Sequence, residues 1–149
     1  MMERICNLYI SDEHLLVTLS GYLKKEIENG TKVIVLSQDN MKKSIRDIKR
    51  RINNKELKEK VDYLDNIKIN LIAHDKRVTV IIKGDNNFIS NMENKVREIF
   101  NEENELINIV SCYNINENKN IGEIINEYEK MLNTTGVIDL KQKNDLQNV

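Results

Sequence analysis

No apolar run in this sequence of 149 residues approaches the roughly 20 that a membrane-spanning helix needs, which excludes that class of protein. Nor does a basic-then-apolar leader follow Met1-Met2-Glu3-Arg4, so the chain is expected to be cytoplasmic. An excess of one charge sign is missing as well. The 23 basic and 24 acidic side chains leave a net charge of -1, which argues against a surface that grips nucleic acid all over. There are only two cysteines, Cys6 and Cys112, both inside apolar segments. They read as reduced core thiols, and two alone cannot build a structural zinc site. Proline and tryptophan are absent, and Ala73 is the sole alanine. What is abundant is 22 Asn, 21 Ile and 17 Lys, a bias that fits an A·T-rich genome and says little about the protein's work. With 40% hydrophobic and 32% charged residues, the chain can bury a core and keep a soluble surface, at a length suited to one domain.

The apolar pattern predicts alternating strands and helices. Residues 4–10 read as a buried strand, with Ser11 or Asp12 capping a helix whose inward face is Leu15, Leu16, Leu19, Tyr22, Leu23 and Ile27. Asn29-Gly30 stops it. Residues 32–37 are apolar on both faces, as a central parallel strand should be. Gln38-Asp39-Asn40 opens a second helix with Met41, Ile45, Ile48 and Ile52 inward, and a short helix is expected with Leu57, Val61 and Leu64 inward. Residues 66–72 and 77–83 read as a β-hairpin turning at His74-Asp75-Lys76. A helix with Ile89, Met92, Val96, Ile99 and Phe100 follows, then a strand over 106–113. A helix over 121–132 with Ile124, Ile125, Tyr128 and Leu132 inward comes next, then a short strand over 137–140. The expected organisation is one domain over 1–140 and a polar tail over 141–149. Its class is α/β, with a mainly parallel central sheet between helices on both faces and one hairpin.

The sequence also resembles a known family. Ile5-Cys6, Tyr9, Ser11-Asp12-Glu13, Leu16, Leu19, Tyr22-Leu23, Glu28-Asn29-Gly30 and the strand from Lys32 resemble the opening of the MEDS family of sensory domains. The stretch Ser111-Cys112-Tyr113-Asn114, the helix after it, and Leu132-Asn133-Thr134 leading to Val137-Ile138 resemble that family's ending. Membership would imply a three-layer core similar to the RecA and KaiC ATPases without their nucleotide machinery. It would also imply sensing of small molecules in regulatory proteins. The chain departs from the family pattern: Arg4 stands where His is usual, Ser111-Cys112-Tyr113-Asn114 where Cys-Gln-Tyr-Asp is usual, and Thr135-Gly136 where His-Pro is usual, and the helical middle is shorter.

The residues support that lack of nucleotide chemistry. A phosphate-cradling loop needs closely spaced Gly followed by Lys and Ser/Thr. The first strand-to-helix turn reads Ile10-Ser11-Asp12-Glu13-His14, with acids where phosphate would sit, and no Gly in the chain precedes Lys-Ser/Thr. No catalytic constellation, metal site or cofactor is expected. His14 and His74 lack neighbouring ligands at metal spacing, and exposed surface positions account for both. Charge is segregated: residues 41–60 carry nine basic and three acidic side chains, and residues 93–130 four basic and nine acidic. The basic helix 41–52 presents Lys42, Arg46, Lys49 and Arg50, either as a solvated face or as a contact for DNA or an acidic partner.

In open α/β sheets, ligands bind beyond the carboxyl ends of the strands. Here those ends supply Tyr9, Ser11, Gln38, Asp39, Lys83, Asp85, Tyr113 and Asn114, a polar ring with two phenols. Some of it needs no ligand, because acids at these places also cap helices. The expectation is a non-catalytic sensory or signalling domain that binds a small molecule or a protein partner, with Tyr9 and Tyr113 lining one site. The alternatives are a transcription-associated regulator that works through the basic helix, or an enzyme of unrecognised class.

Overall fold

The first apolar stretch forms strand β1 (Met2–Tyr9), which runs into helix α1 (Asp12–Glu28). The computed structural model describes residues 2–39, 42–51, 61–63, 77–100 and 106–140. Ser11 caps α1, its hydroxyl accepting the backbone N–H of His14 at 3.1 Å, and Asp12 and Glu13 complement the positive end of the helix dipole. The helix closes at Asn29, and Gly30 follows with φ of 85°, a left-handed conformation that costs a residue without a Cβ little. Strand β2 (Lys32–Ser37), helix α2 (Lys42–Arg51) and the short strand β3 (Val61–Tyr63) come next. Then follow β4 (Arg77–Lys83), helix α3 (Asn86–Ile99) and β5 (Leu106–Asn114). The chain ends its described course with a 3-10 turn (Ile115–Glu117), helix α4 (Ile121–Asn126), β6 (Lys130–Asn133) and β7 (Gly136–Asp139).

The protein is α/β, with one mostly parallel sheet in the order β3-β2-β4-β5-β1-β6-β7. Every neighbouring pair is parallel except β6 with β7. Strands β2, β4, β5 and β1 therefore point the same way, and their carboxyl ends meet at one edge. The alternation of side chains divides the core in two. Ile5, Val33, Val35, Ile81, Val110 and Cys112 pack with Leu15, Leu19, Leu23 and Ile27 of α1 and Ile48 of α2. Cys6, Ile34, Leu36, Val80, Ile82, Ile107 and Ile109 pack with Ile89, Met92 and Val96 of α3 and with Ile124 and Tyr128.

Three sequence expectations change. The hairpin does not form where it was expected, because β4 lies between β2 and β5, parallel to both, and neither of its edges is left for an antiparallel partner. Its other half, 66–72, and the turn at His74-Asp75-Lys76 lie outside the described residues. The observed hairpin is β6 with β7, turned by Thr134-Thr135, where the Asn133 carboxamide oxygen accepts the backbone N–H of Thr135 at 2.9 Å. The helix expected over 121–132 stops at Asn126. Residues 130–133 pair instead with the edge of β1 that β5 leaves open, and Asn7 clamps the join by donating its amide to the Leu132 carbonyl at 3.0 Å. Val61, expected on a helix, belongs to strand β3 beside β2. Leu57 and Leu64 of that expected helix lie outside the described residues, as does the tail 141–149.

Candidate functional site

At the carboxyl edge of the sheet, β1, β2, β4 and β5 end around a hollow of about 500 Å³. Six of the eight residues expected there line it: Tyr9, Gln38, Asp39, Lys83, Asp85 and Asn114. Lys83 is the last residue of β4, and the strand carries it inward, so that it is only 7% exposed. Its ammonium lies 2.6 Å from Asp39 and 3.6 Å from Asp12, and 5.8 Å from the centre of the Tyr9 ring. A buried ammonium requires such partners, because desolvation would otherwise disfavour its charge. Partial burial pushes the Asp39 carboxyl up, but hydrogen bonds from Lys83 and Ser37 outweigh it and hold the group below the usual carboxylate range.

Gln38 and Asp85 fasten the opposite wall. The Gln38 amide donates to the Asp85 carboxylate at 3.0 Å, and the Asp85 backbone N–H donates back to the Gln38 carbonyl oxygen at 2.8 Å. Asp85 also caps α3 by accepting the Phe88 N–H at 2.8 Å. That bond, then the one from Gln38, lowers its pKa. Gly84 sits between them, and the approach is close: an added Cβ would lie 2.5 Å from the Phe88 ring and 2.9 Å from the Gln38 side-chain oxygen.

Two expected residues go elsewhere. Ser11 is used as the cap of α1. Tyr113 ends on the same edge as Tyr9 but on the other face of the sheet. Tyr9 pairs in register with Asn114 and Leu8 with Tyr113, so the two phenols point to opposite sides. Asn114 takes the place expected of Tyr113. The basic face on α2 is described in part: Arg46 and Arg50 are exposed, with Arg50 3.8 Å from Asp47. The side chains of Lys42 and Lys49 lie outside the described residues.

Tyr113 instead joins a polar network beneath α3 that sequence reasoning missed. The Glu93 carboxylate is 4% exposed as a residue and accepts four donors. Arg4 gives two bonds to one oxygen, at 2.7 and 3.1 Å, while Ser111 and Tyr128 hydroxyls reach the other, each at 2.5 Å. Tyr113 and Tyr128 share a hydrogen bond of 2.6 Å, and the Arg4 guanidinium lies 4.6 Å from the Tyr128 ring centre. Burial pushes the Tyr113 phenol up to about 12, and burial with Glu93 raises Tyr128 as well. The signal was available: Ile89, Met92, Glu93 and Val96 follow helical spacing, which places an acid on an inward face. Asp12 and Glu117, which also line the hollow, were missed too, Asp12 because an acid at the start of a helix reads as a cap.

His14 accepts the Ile10 backbone N–H at its Nδ1, and among the described residues no three Asp, Glu, His or Cys side chains are grouped to hold a metal ion. No described helix is long and apolar enough to cross a membrane. Cys6 and Cys112 are buried and unpaired, on opposite faces of the sheet, with burial pushing their thiols up to about 11 and about 12. In comparisons with known proteins, the chain matches no family model, no curated protein and no solved structure.

Proposed function

We propose that this chain is a non-catalytic sensory domain that binds a small molecule at the carboxyl edge of its sheet. One observation carries the reading: a cavity of ligand size, about 500 Å³, into which the sheet delivers the buried ammonium of Lys83 between Asp39 and Asp12, under the Tyr9 ring. Small-molecule sites fall in this volume range and at this edge of parallel sheets. The parallel sheet, with β1 inside it and α1 leaving β1 directly, supports a RecA- or KaiC-like three-layer core of the MEDS type. The acids at its first turn speak against nucleotide chemistry. Arg4 and Ser111, two positions that depart from the MEDS pattern, both bond Glu93, so the chain replaces that part of the pattern with a core network of its own.

A thermal-shift screen of metabolites tests the reading. Compounds that raise the melting temperature of the wild type should lose their effect in Lys83→Met and Asp39→Asn. ATP with magnesium should produce neither a shift nor phosphate release above a heat-killed control. Equal shifts in wild type and both variants would remove the site.

The exposure of Arg46 and Arg50 favours a second reading, in which α2 touches DNA or an acidic partner in a regulatory complex. Salt-sensitive gel shifts that Arg46→Glu with Arg50→Glu abolishes would establish it. Each lost phosphate contact should then flatten the log-log salt dependence by about one unit.

A further inference from the structure

We propose that a second hollow, at the opposite edge of the sheet, takes an uncharged polyhydroxylated molecule, a monosaccharide or a polyol. It is independent of the carboxyl-edge site. The hollow has a volume of about 260 Å³ and lies where the end of α1 returns over the amino ends of β1, β4 and β5. Strand register explains its polarity. Thr79 of β4 pairs with Asn108 of β5, and Asn108 pairs with Glu3 of β1. The three side chains form a row on the face that packs α1, two residues before the apolar row of Ile81, Val110 and Ile5. Tyr22 and Glu26, one turn apart on α1, come down onto this row.

Two buried hydroxyls carry the inference. Among the described residues, three buried side-chain polar atoms lack a hydrogen-bond partner, and two of them, Tyr22 Oη and Thr79 Oγ1, stand together at this row. Tyr22 is 9% exposed and Thr79 is fully buried. Burying a hydroxyl without a partner is costly, and buried polar groups are ordinarily bonded. Burial and the Glu26 carboxylate push the Tyr22 phenol up, and nearby Thr79 and Asn108 oppose them, so at neutral pH it is an uncharged hydroxyl. A hydroxyl both donates and accepts, so its matching partner is a group that does both, as another hydroxyl does. The Asn108 amide adds the same double capacity to the wall. The charges cancel: Lys130 holds Glu3 at 2.7 Å, and Glu26 shares the lining with Arg77. Neither a cation nor an anion therefore meets a net field. The Arg77 guanidinium gives one bond, to the Asn29 carbonyl at 3.3 Å, and keeps donors for a ligand hydroxyl at the rim. At roughly 30 Å³ per water, the hollow exceeds several-fold what a single bridging water fills.

Calorimetry on the full chain, with D-ribose, D-glucose, myo-inositol and glycerol as probes and glycine and inorganic phosphate as charged controls, decides the matter. Saturable, salt-insensitive binding of at least one of the four polyols is expected. Tyr22→Phe and Thr79→Val should each weaken that binding about fivefold, the value of one hydrogen bond, while Glu98→Gln on the exposed side of α3 leaves it unchanged. Melting temperature separates this from a structural role. Each of the two variants removes an unbonded hydroxyl and keeps the shape of the side chain, so it should melt at or above the wild-type temperature. A lower melting temperature in both would mean that the fold itself bonds the hydroxyls, and would overturn the proposal. So would equal polyol binding in wild type and both variants, tighter binding of glycine or phosphate than of any polyol, or no heat from the whole panel, which would leave the two hydroxyls to ordered water.

Discussion

The hollow at the strand ends and the network under α3 are built from the same kinds of side chain and come out opposite in character. Each has a cation, at least one carboxylate and at least one tyrosine. In the network, both Glu93 oxygens are engaged, Arg4 also donates to the Glu127 carbonyl at 3.2 Å, and both phenols are bonded. In the hollow, Lys83 is paired, but Asp12 and Asp39 stand mostly in solvent and the Tyr9 hydroxyl faces open space. A closed polar cluster in the core fixes geometry, because removing one member strands the others without water. An open one at an edge keeps its capacity for a ligand. Stability should therefore reside in the first and binding in the second.

The sharpest way to break that contrast is Glu93→Ala. It strands a half-buried Arg4 and two hydroxyls, and urea unfolding should show a loss of about 3 kcal/mol. A loss under 1 kcal/mol would mean that the network is not holding the fold. Gly84→Ala is next. The added methyl drives into Phe88 and Gln38, and a cost of about 2 kcal/mol is expected, together with weakened binding, since the Gln38–Asp85 wall must move. Tyr128→Phe removes one donor to Glu93 and should cost about 1 kcal/mol with ligand binding intact.

Asp39→Asn probes the hollow through pH. The folded-state pKa of Asp39 lies below its unfolded value, so the unfolded chain binds the proton more readily. Its contribution is present above about pH 4 and fades as pH falls through the folded pKa. The variant should therefore show a shallower fall of melting temperature as pH drops below about 4. An unchanged acid limb would remove the Lys83–Asp39 pair from the account of stability. The smallest effect belongs to Tyr9→Phe. No described group bonds its hydroxyl, so stability should stay within about 0.5 kcal/mol of wild type, in direct contrast to Tyr128→Phe.

Much of the scaffold was legible because short-range pattern encodes it. The doubly apolar run Val33-Ile34-Val35-Leu36 marks a strand covered on both faces, Ser11 marks the cap of α1, and Gly30 marks its end. Where two local readings compete, pattern fails. Ile124, Ile125, Tyr128 and Leu132 keep helical spacing, yet only the vacant edge of β1 decides that Leu132 belongs to a strand. Six residues of the hollow were legible because each ends or directly follows a strand, and parallel strands end together. Tyr113 was misplaced because the face it occupies depends on its register with β1, which a one-residue step inverts.

The sequence by itself determined the elements that depend on neighbours within a few residues: caps, stops, apolar stripes and the absence of a phosphate loop. It also carried the acid on the inner face of α3, though not its purpose. Only the tertiary structure decided that β4 lies between β2 and β5, that Arg4 meets Glu93 across 89 positions of chain, and that Lys83 finds Asp39 and Asp12. These pairings are set by strand order and register. Both follow from burying the two faces of one sheet at once, a condition on the whole chain that no local window contains.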